Sequence, residues 1–231
     1  MRTIGLLGGM SWESTLTYYR LINEAVKDQL GGLHSAKICL YSVDFSEIEK
    51  HQHAENWLAA AEILVNAARS VEKAGADFLL ICTNTMHKVA AEIEAGIGIP
   101  VLHIADATAE VILSENIRTV GLLGTGFTME QDFYKGRLQE QYGLNVIIPE
   151  VNDRKVVHQI IYEELCLGKV EPESRQKYLK IINALSGKGA EGVILGCTEI
   201  ALLVNQKDTT VPLFDTTAIH ARKAAQMALK S

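Results

Sequence analysis

The sequence predicts an α/β protein with parallel sheets, built from two similar halves. Short apolar, β-branched runs alternate with longer amphipathic stretches along all 231 residues, as expected for strands joined by crossover helices. TIGLLG at 3–8 recurs as TVGLLG at 119–124, GADFLLI at 75–81 as GAEGVIL at 189–195, and IPVL at 99–102 as VPLF at 211–214. Three strands in the same order at nearly constant spacing indicate two domains related by pseudo-twofold symmetry.

The strands are expected where apolar runs are short, and the helices where a helical periodicity persists for several turns. We expect an N-terminal domain over 1–115, a C-terminal domain over 116–215, and a last helix over 216–231 that is a candidate to pack on the first domain. The predicted strands are 3–7, 37–42, 78–81, 100–103, 119–123, 145–148, 192–195 and 212–214, and the predicted helices are 14–30, 56–74, 129–142 and 173–187.

Composition excludes several classes of protein. The chain has 22 Lys and Arg against 28 Asp and Glu, a net charge of -6, and nucleic-acid-binding surfaces usually need a basic excess. No apolar run approaches the roughly 20 residues that span a bilayer, and the first residues lack the pattern of a signal peptide. We expect a cytoplasmic protein that binds neither nucleic acid nor membrane.

The four cysteines, Cys39, Cys82, Cys166 and Cys197, form no C-x-x-C pair, so a zinc ribbon or a thioredoxin-type motif is not indicated. In a cytosolic chain such thiols are expected to be reduced. Most free cysteines are buried small hydrophobic residues, and we expect this of Cys39.

The internal repeat pairs two positions that carry chemistry. In parallel α/β sheets, ligands bind beyond the carboxyl ends of the strands, where the two halves read Cys82-Thr83-Asn84-Thr85 and Gly196-Cys197-Thr198-Glu199. The repeat makes Thr83 the counterpart of Cys197. Two such domains facing each other would present a hydroxyl and a thiol to one ligand in an interdomain cleft, with small polar neighbours suited to holding a carboxylate.

At these residues the chain resembles the cofactor-independent aspartate/glutamate racemases, over essentially its whole length. The resemblance rests on the Gly196–Glu199 segment, on Asn84-Thr85 and His87, and on the opening residues 4–10. It implies two flavodoxin-like domains, no cofactor, a homodimer, and racemisation of acidic amino acids by one cysteine from each domain, acting on opposite faces of Cα.

One departure from that family pattern concerns the chemistry itself. Where the family commonly reads Cys-Asn-Thr, this chain has Thr83-Asn84-Thr85. Cys82 is one position early, where alternation along an extended chain would point it to the other side. A thiol has a pKa near ~8.5 and an alcohol is a far weaker acid. The resemblance assigns the cysteine of the second domain to the L enantiomer, so we expect Cys197 as thiolate base, Thr83 as proton donor, and a preference for the L substrate.

The remaining candidate contacts are less specific. The loop after the second strand lacks the family's Arg, and Gln52 is the best candidate there; Cys166 aligns with a family Lys. Losing both cations leaves room for neutral amino acids. Glu199 is either an orienting group for its neighbours or a carboxylate favoured at a helix N-terminus. The candidate substrate-binding residues are Met10, Gln52, Asn84, Thr85, Thr125, Thr128, Cys166, Thr198 and Glu199.

Bound nucleotides and metals are not indicated. The glycine loops at 5–9 and 124–126 match neither G-x-G-x-x-G nor a P-loop. Only one or two carboxylates could join His87 and His103 from distant segments, so a metal site is not indicated. We expect no metal and no cofactor.

The sequence thus predicts an isomerase: a racemase of aspartate, glutamate or a related amino acid, active in amino acid metabolism. Two alternatives remain. The same positions could serve a decarboxylase or a cis-trans isomerase of small diacids, or the chain could be a non-catalytic binder of a small acid, since Thr83 has removed half of a two-thiol site.

Overall fold

The computed structural model describes residues 1–230 and divides into two compact units. The first comprises residues 1–104 and the chain from Thr217 onward, and the second comprises residues 105–216. This division falls before the helix at 104–114, whereas the boundary expected from the repeat falls after residue 115. In each unit every strand pair is parallel.

The strands number seven within residues 1–230. They are β1 Ile4–Gly8, β2 Ile38–Ser42, β3 Phe78–Ile81, β4 Thr119–Gly124, β5 Asn145–Ile147, β6 Gly192–Gly196 and β7 Leu213–Asp215. The sheet orders are β2-β1-β3 and β5-β4-β6-β7. Both orders begin as the flavodoxin-like arrangement does, with the first strand between the second and the third. The expected fold class is therefore confirmed.

The helices connect successive strands. They are α1 Trp12–Leu30, α2 Phe45–His53, α3 Trp57–Lys73, α4 Ala90–Gly96, α5 Ile104–Ser114, α6 Gly126–Glu130, α7 Asp132–Tyr142, α8 Val151–Glu163, α9 Pro172–Gly187, α10 Ile200–Leu203 and α11 Thr216–Leu229. Short 3-10 helices lie at Thr85–Val89, Leu165–Leu167 and Gln206–Asp208. None of the helices within residues 1–230 combines the length and apolar character that a membrane span requires.

The first unit has helices on both faces of its sheet. On one face, the α3 residues Leu64, Ala68 and Val71 pack with Leu7 and Ile81 in a buried apolar cluster. The other face carries a second cluster, formed by α1 and α11 against β1 and β3 and listed here by its buried members: Ile4, Leu6, Tyr18, Ile22, Phe78, Leu80, Cys82, Ala221, Ala224 and Ala228. Alternate residues of β3 therefore enter opposite layers, as the period of a strand requires.

In the second unit, α8 and α9 pack against β4. The α9 contact is close, because a Cβ built at Gly121 of β4 would lie 2.9 Å from Leu185 Cδ1. Gly121 thus lets a helix approach the strand backbone, a usual reason for glycine within a strand.

Two predicted elements differ from the structure. Residues 100–103 form only an isolated bridge, Leu79 to Val101, because the Leu102 carbonyl accepts a hydrogen bond from His220 Nε2 at 2.7 Å. The helix predicted over 129–142 is two helices, since the backbone at Gln131 is extended between α6 and α7.

Candidate functional site

In the first unit, the ends of β1 and β3 bring two segments together. Leu7 pairs with Ile81 in parallel register, so Met10 and Thr83 both follow strands that end side by side. Met10 is buried in the same apolar cluster as Met86. The turn after β1 requires glycine at position 9, where φ is +92° and a Cβ would lie 2.2 Å from the Val43 carbonyl oxygen.

Cys82 and Thr83 have opposite surroundings. Cys82 is fully buried in the layer between the sheet, α1 and α11, and burial raises the pKa of its thiol well above the usual range. Thr83 is half-buried, and its hydroxyl makes no hydrogen bond within residues 1–230. The thiol is held in the core, whereas the hydroxyl stays available to a ligand.

The remaining candidates of the first unit are buried. Asn84 precedes the 3-10 helix Thr85–Val89, and Asn84 and Thr85 are both buried. Gln52, on α2, is buried with Nε2 2.8 Å from Met86 Sδ, and its Oε1 has no hydrogen-bond partner in the described chain. A thioether is a weak acceptor. The Gln52 amide therefore has hydrogen-bonding capacity that the protein itself does not use.

In the second unit, Cys197 follows β6 and contacts Glu199. Cys197 Sγ donates to Glu199 Oε2 at 3.1 Å, and Thr198 Oγ1 donates to the same oxygen at 2.6 Å. Glu199 precedes the four-residue helix α10 and its side chain makes no capping bond there. Of the two roles open from the sequence, the structure favours the one in which Glu199 orients its neighbours.

The surroundings of Cys197 favour the protonated form of its thiol. Burial raises its pKa well above the usual value, and the Glu199 carboxylate, the nearby Cys166 and the hydrogen bond to Glu199 raise it further, while the backbone amide of Glu199 opposes the shift. These effects oppose formation of the thiolate that the sequence analysis expects, so a base at this position needs an acceptor for the thiol proton.

Thr125 and Thr128 lie beside Cys197. Gly124 pairs with Gly196, so Thr125 and Cys197 follow directly paired residues. Thr125 caps α6 by accepting from the Thr128 backbone N–H at 3.3 Å, and their hydroxyl oxygens are 3.2 Å apart. A Cβ built at Gly196 would lie 3.4 Å from Thr128 Cγ2. Cys166 is half-buried in the 3-10 helix Leu165–Leu167, close enough to affect the Cys197 pKa.

The strand registers support the pairing of Thr83 with Cys197. Thr83 lies two residues after Ile81, which pairs with Leu7 of β1. Cys197 lies two residues after Leu195, which pairs with Leu123 of β4. Leu7 and Leu123 are equivalent positions of the repeat. The two residues therefore occupy the same place in their respective sheets.

His87 has a role that the sequence analysis did not assign. Its Nδ1 lies 2.8 Å from the Thr83 carbonyl oxygen, and its Nε2 accepts from the Ile104 backbone N–H at 3.2 Å. The four-residue spacing from Thr83 was a signal available in the sequence. The contact with Ile104 was not, because it depends on the tertiary fold.

No cluster of three or more His, Cys, Asp or Glu side chains suited to a metal ion occurs in residues 1–230. His87 and His103 are close, with ring centroids 4.4 Å apart, but both nitrogens of His87 are engaged with backbone groups.

Comparison with known proteins places this architecture in a family. The profile of the family described as Asp/Glu/Hydantoin racemase matches residues 7–224. A solved structure described as a putative Asp/Glu racemase from Yersinia pestis is 59% identical, covers 100% of both chains and has a TM-score of 0.94. An aspartate racemase homologue from Pyrococcus horikoshii is 37% identical, with 100% coverage of both chains and a TM-score of 0.87.

A curated relative, the broad specificity amino-acid racemase RacX from Bacillus subtilis, is 21% identical over 95% of each chain. The family match extends from the end of β1 into α11 and so includes both strand-end segments. The chain belongs to the Asp/Glu/Hydantoin racemase family and is an isomerase of the racemase class.

Proposed function

We propose that this protein racemises aspartate, glutamate or a related amino acid without a cofactor, with Cys197 and Thr83 acting on opposite faces of Cα. The observation that carries the proposal is the equivalent position of Thr83 and Cys197, each two residues beyond the strand residue paired with Leu7 or Leu123. Membership of a racemase family supports this assignment.

The proton of Cys197 has a defined acceptor in this mechanism. Glu199 takes the thiol proton through their 3.1 Å contact, and the resulting thiolate removes the Cα proton of the L substrate. The electron pair left on Cα then takes a proton from the Thr83 hydroxyl, which forms the D product. The alkoxide left on Thr83 takes a proton from solvent, and Glu199 releases the proton that it holds to solvent. Cys197 keeps the former Cα proton, so all three groups regain their starting forms.

The substrate carboxylates need donors that do not move during the reaction. In the first unit, Asn84 and Thr85 supply small polar groups beside Thr83. In the second unit, hydroxyls come from Thr125, Thr128 and Thr198. Such donors stabilise the charge that develops next to the carbanion. Gln52 and Cys166 stand where family members carry cations, so Gln52 contacts the substrate through neutral hydrogen bonds.

The proposed preference for the L substrate combines the assignment of Cys197 to the L enantiomer, which the resemblance implies, with the unequal acidity of the two groups. A thiol reaches the thiolate far more readily than an alcohol reaches the alkoxide. Proton removal from the Cys197 side is therefore faster than removal from the Thr83 side.

Chiral chromatography tests this function directly. A panel of L and D amino acids is incubated with the dialysed protein, and both enantiomers and released CO₂ are quantified. Formation of D-aspartate or D-glutamate supports the proposal. Release of CO₂ would instead support a diacid decarboxylase, geometric isomerisation of an unsaturated diacid would support a cis-trans isomerase, and binding without turnover would support a small-acid binder.

The active form is proposed to be a cytoplasmic homodimer. Trp12, Leu16 and Tyr19 are 64%, 58% and 50% exposed and share one face of α1 at helical spacing. A stripe of this kind is typical of an interaction surface, and the four free cysteines suit a reducing compartment. Sedimentation of wild type and Leu16→Glu tests the dimer: a monomeric variant supports this surface, and a monomeric wild type contradicts it.

A further inference from the structure

We infer that His87 is a positioning residue for Thr83: it holds the peptide that carries the proposed proton donor. This inference rests on the proposed function, because it assigns His87 a role in the step that Thr83 performs. The observation behind it is a pair of hydrogen bonds from one buried ring to two backbone groups.

The two partners of His87 determine its tautomer. The Thr83 carbonyl can only accept, so Nδ1, at 2.8 Å, carries the hydrogen and donates it. The Ile104 backbone N–H can only donate, so Nε2, at 3.2 Å, is unprotonated and accepts. The ring is therefore neutral and bridges the end of β3 to residue 104, both within the first unit.

The packing of the ring keeps this bridge in place. His87 is 3% exposed, and its ring meets those of His103 and His220 at centroid distances of 4.4 and 6.0 Å. His220 is itself fixed, since Nε2 donates to the Leu102 carbonyl and Nδ1 accepts from the Tyr18 hydroxyl at 2.8 Å. His87 cannot change its ring orientation without disturbing these neighbours.

Holding the Thr83 carbonyl restrains the backbone from which the Thr83 side chain projects. The carbonyl carbon and Cβ are both bonded to Cα, so a bond that anchors the carbonyl limits the movement of Cα, and a β-branched side chain has few χ1 rotamers from there. The hydroxyl itself makes no hydrogen bond within residues 1–230 that would hold it in place. A misplacement of about 1 Å can cost ~10²-fold in rate. His87 therefore affects turnover through the placement of Thr83.

Two conservative variants separate the two hydrogen bonds. His87→Asn retains a side-chain N–H near the place of Nδ1, and so can still donate to the Thr83 carbonyl. His87→Gln places its amide near the position of Nε2 and can still accept from Ile104, but loses the bond to Thr83. Both variants lose the imidazole ring, so the loss of packing is common to them.

Racemisation and Cα exchange report on different steps. In D2O, deuterium that enters the L substrate with retention of configuration reports proton removal by Cys197, whereas formation of D product also requires Thr83. We expect His87→Gln to lower racemisation by at least ~10-fold, within the range that misplacement produces. Exchange with retention should fall less, so the ratio of racemisation to exchange drops, while in His87→Asn the ratio stays near that of wild type.

The double variant with Thr83→Ala completes the test. If His87 acts through Thr83, then adding His87→Gln to the Thr83→Ala variant should reduce turnover no further. The effects of residues that act together in one step are not additive. Equal losses in His87→Asn and His87→Gln, or an unchanged ratio of racemisation to exchange, would overturn the inference. Full racemisation by Thr83→Ala alone would instead overturn the proposed function, so the two failures are distinguishable.

Discussion

Cys197 donates its thiol hydrogen to a Glu199 oxygen only two residues along the chain, at 3.1 Å, and both side chains are buried. The carboxylate raises the pKa of the thiol and, in the proposed mechanism, takes its proton. In the proposed mechanism, a thiol with a raised pKa is coupled in this way to an acceptor for its proton. The pair is how Cys197 would serve as a base at neutral pH.

Replacing Cys197 should abolish racemisation. Loss of a sole base costs at least ~10²-fold in kcat, and Cys197→Ala and Cys197→Ser are both expected to show it. Initial rates by chiral chromatography measure the loss, with thermal melts as the control for folding. Near-normal turnover by Cys197→Ala would show that another group removes the proton.

Replacing Glu199 should change the pH dependence of the reaction. In Glu199→Gln the thiol has lost its acceptor, so activity near neutral pH should fall, by ~10²-fold if the full effect of a general base is lost. The pKa of Cys197 is then no longer raised by a carboxylate, so activity should recover as pH rises. The control is Glu94→Gln, the same substitution at an exposed position. A Glu199→Gln profile that overlays wild type would contradict proton transfer to Glu199.

Supplying a second thiol should raise the rate on the D enantiomer. Thr83→Cys places a group with a pKa near ~8.5 where the alcohol stands, and the small change in volume should cost below ~1.5 kcal/mol of stability. The D-to-L rate ratio should increase, and Thr83→Ser, which keeps an alcohol, should not increase it. A folded Thr83→Cys protein with an unchanged or lower ratio would mean that Thr83 does not face Cα.

Cys82 should matter for stability and not for turnover. Its thiol is buried and its pKa is raised, so the native state retains a proton that the unfolded chain releases above pH ~8.5. Stability is therefore fully present below that pH and falls above it, by up to ~1.4 kcal/mol per pH unit for this group. Cys82→Ala should keep wild-type kinetics and show a shallower alkaline loss of the unfolding free energy.

Denaturant titrations between pH 7 and pH 10 measure that slope. Below pH 8 the unfolding free energies of the wild type and of Cys82→Ala should differ by a constant amount, which reports only the packing lost with the side chain. Parallel slopes up to pH 10 would contradict the assignment of alkaline sensitivity to Cys82, and a loss of turnover would contradict its place outside the active residues.

Much of the fold could be predicted from the sequence, because strand and helix periods are local properties. The repeat of TIGLLG at 3–8 as TVGLLG at 119–124 located β1 and β4, and alternation along β3 correctly directed Cys82 into the core. The bridge at Val101 was not predictable in this way. The segment does not continue as a strand because the Leu102 carbonyl accepts a hydrogen bond from His220, which lies 118 residues further along the chain.

The candidate site was predictable in its positions and less so in its chemistry. Strand ends located Thr83 and Cys197, because the carboxyl ends of parallel strands are where such sheets bind ligands. The raised pKa of Cys197 was not predictable, since it depends on the burial of the side chain and on the rotamer that brings Glu199 to the sulfur. The bridge from His87 to Ile104 likewise exists only in the folded chain.

The central claim is cofactor-free racemisation through removal and return of the Cα proton. Its most direct test is incubation of L-glutamate and L-aspartate in D2O with protein dialysed against EDTA and freed of carbonyl-reactive cofactors, followed by chiral separation and mass analysis. The account predicts a D product carrying one deuterium at Cα, formed at a rate that added Zn²⁺ or pyridoxal phosphate does not raise. Activity that is lost on this treatment and restored by either addition, or a D product without deuterium at Cα, would contradict it.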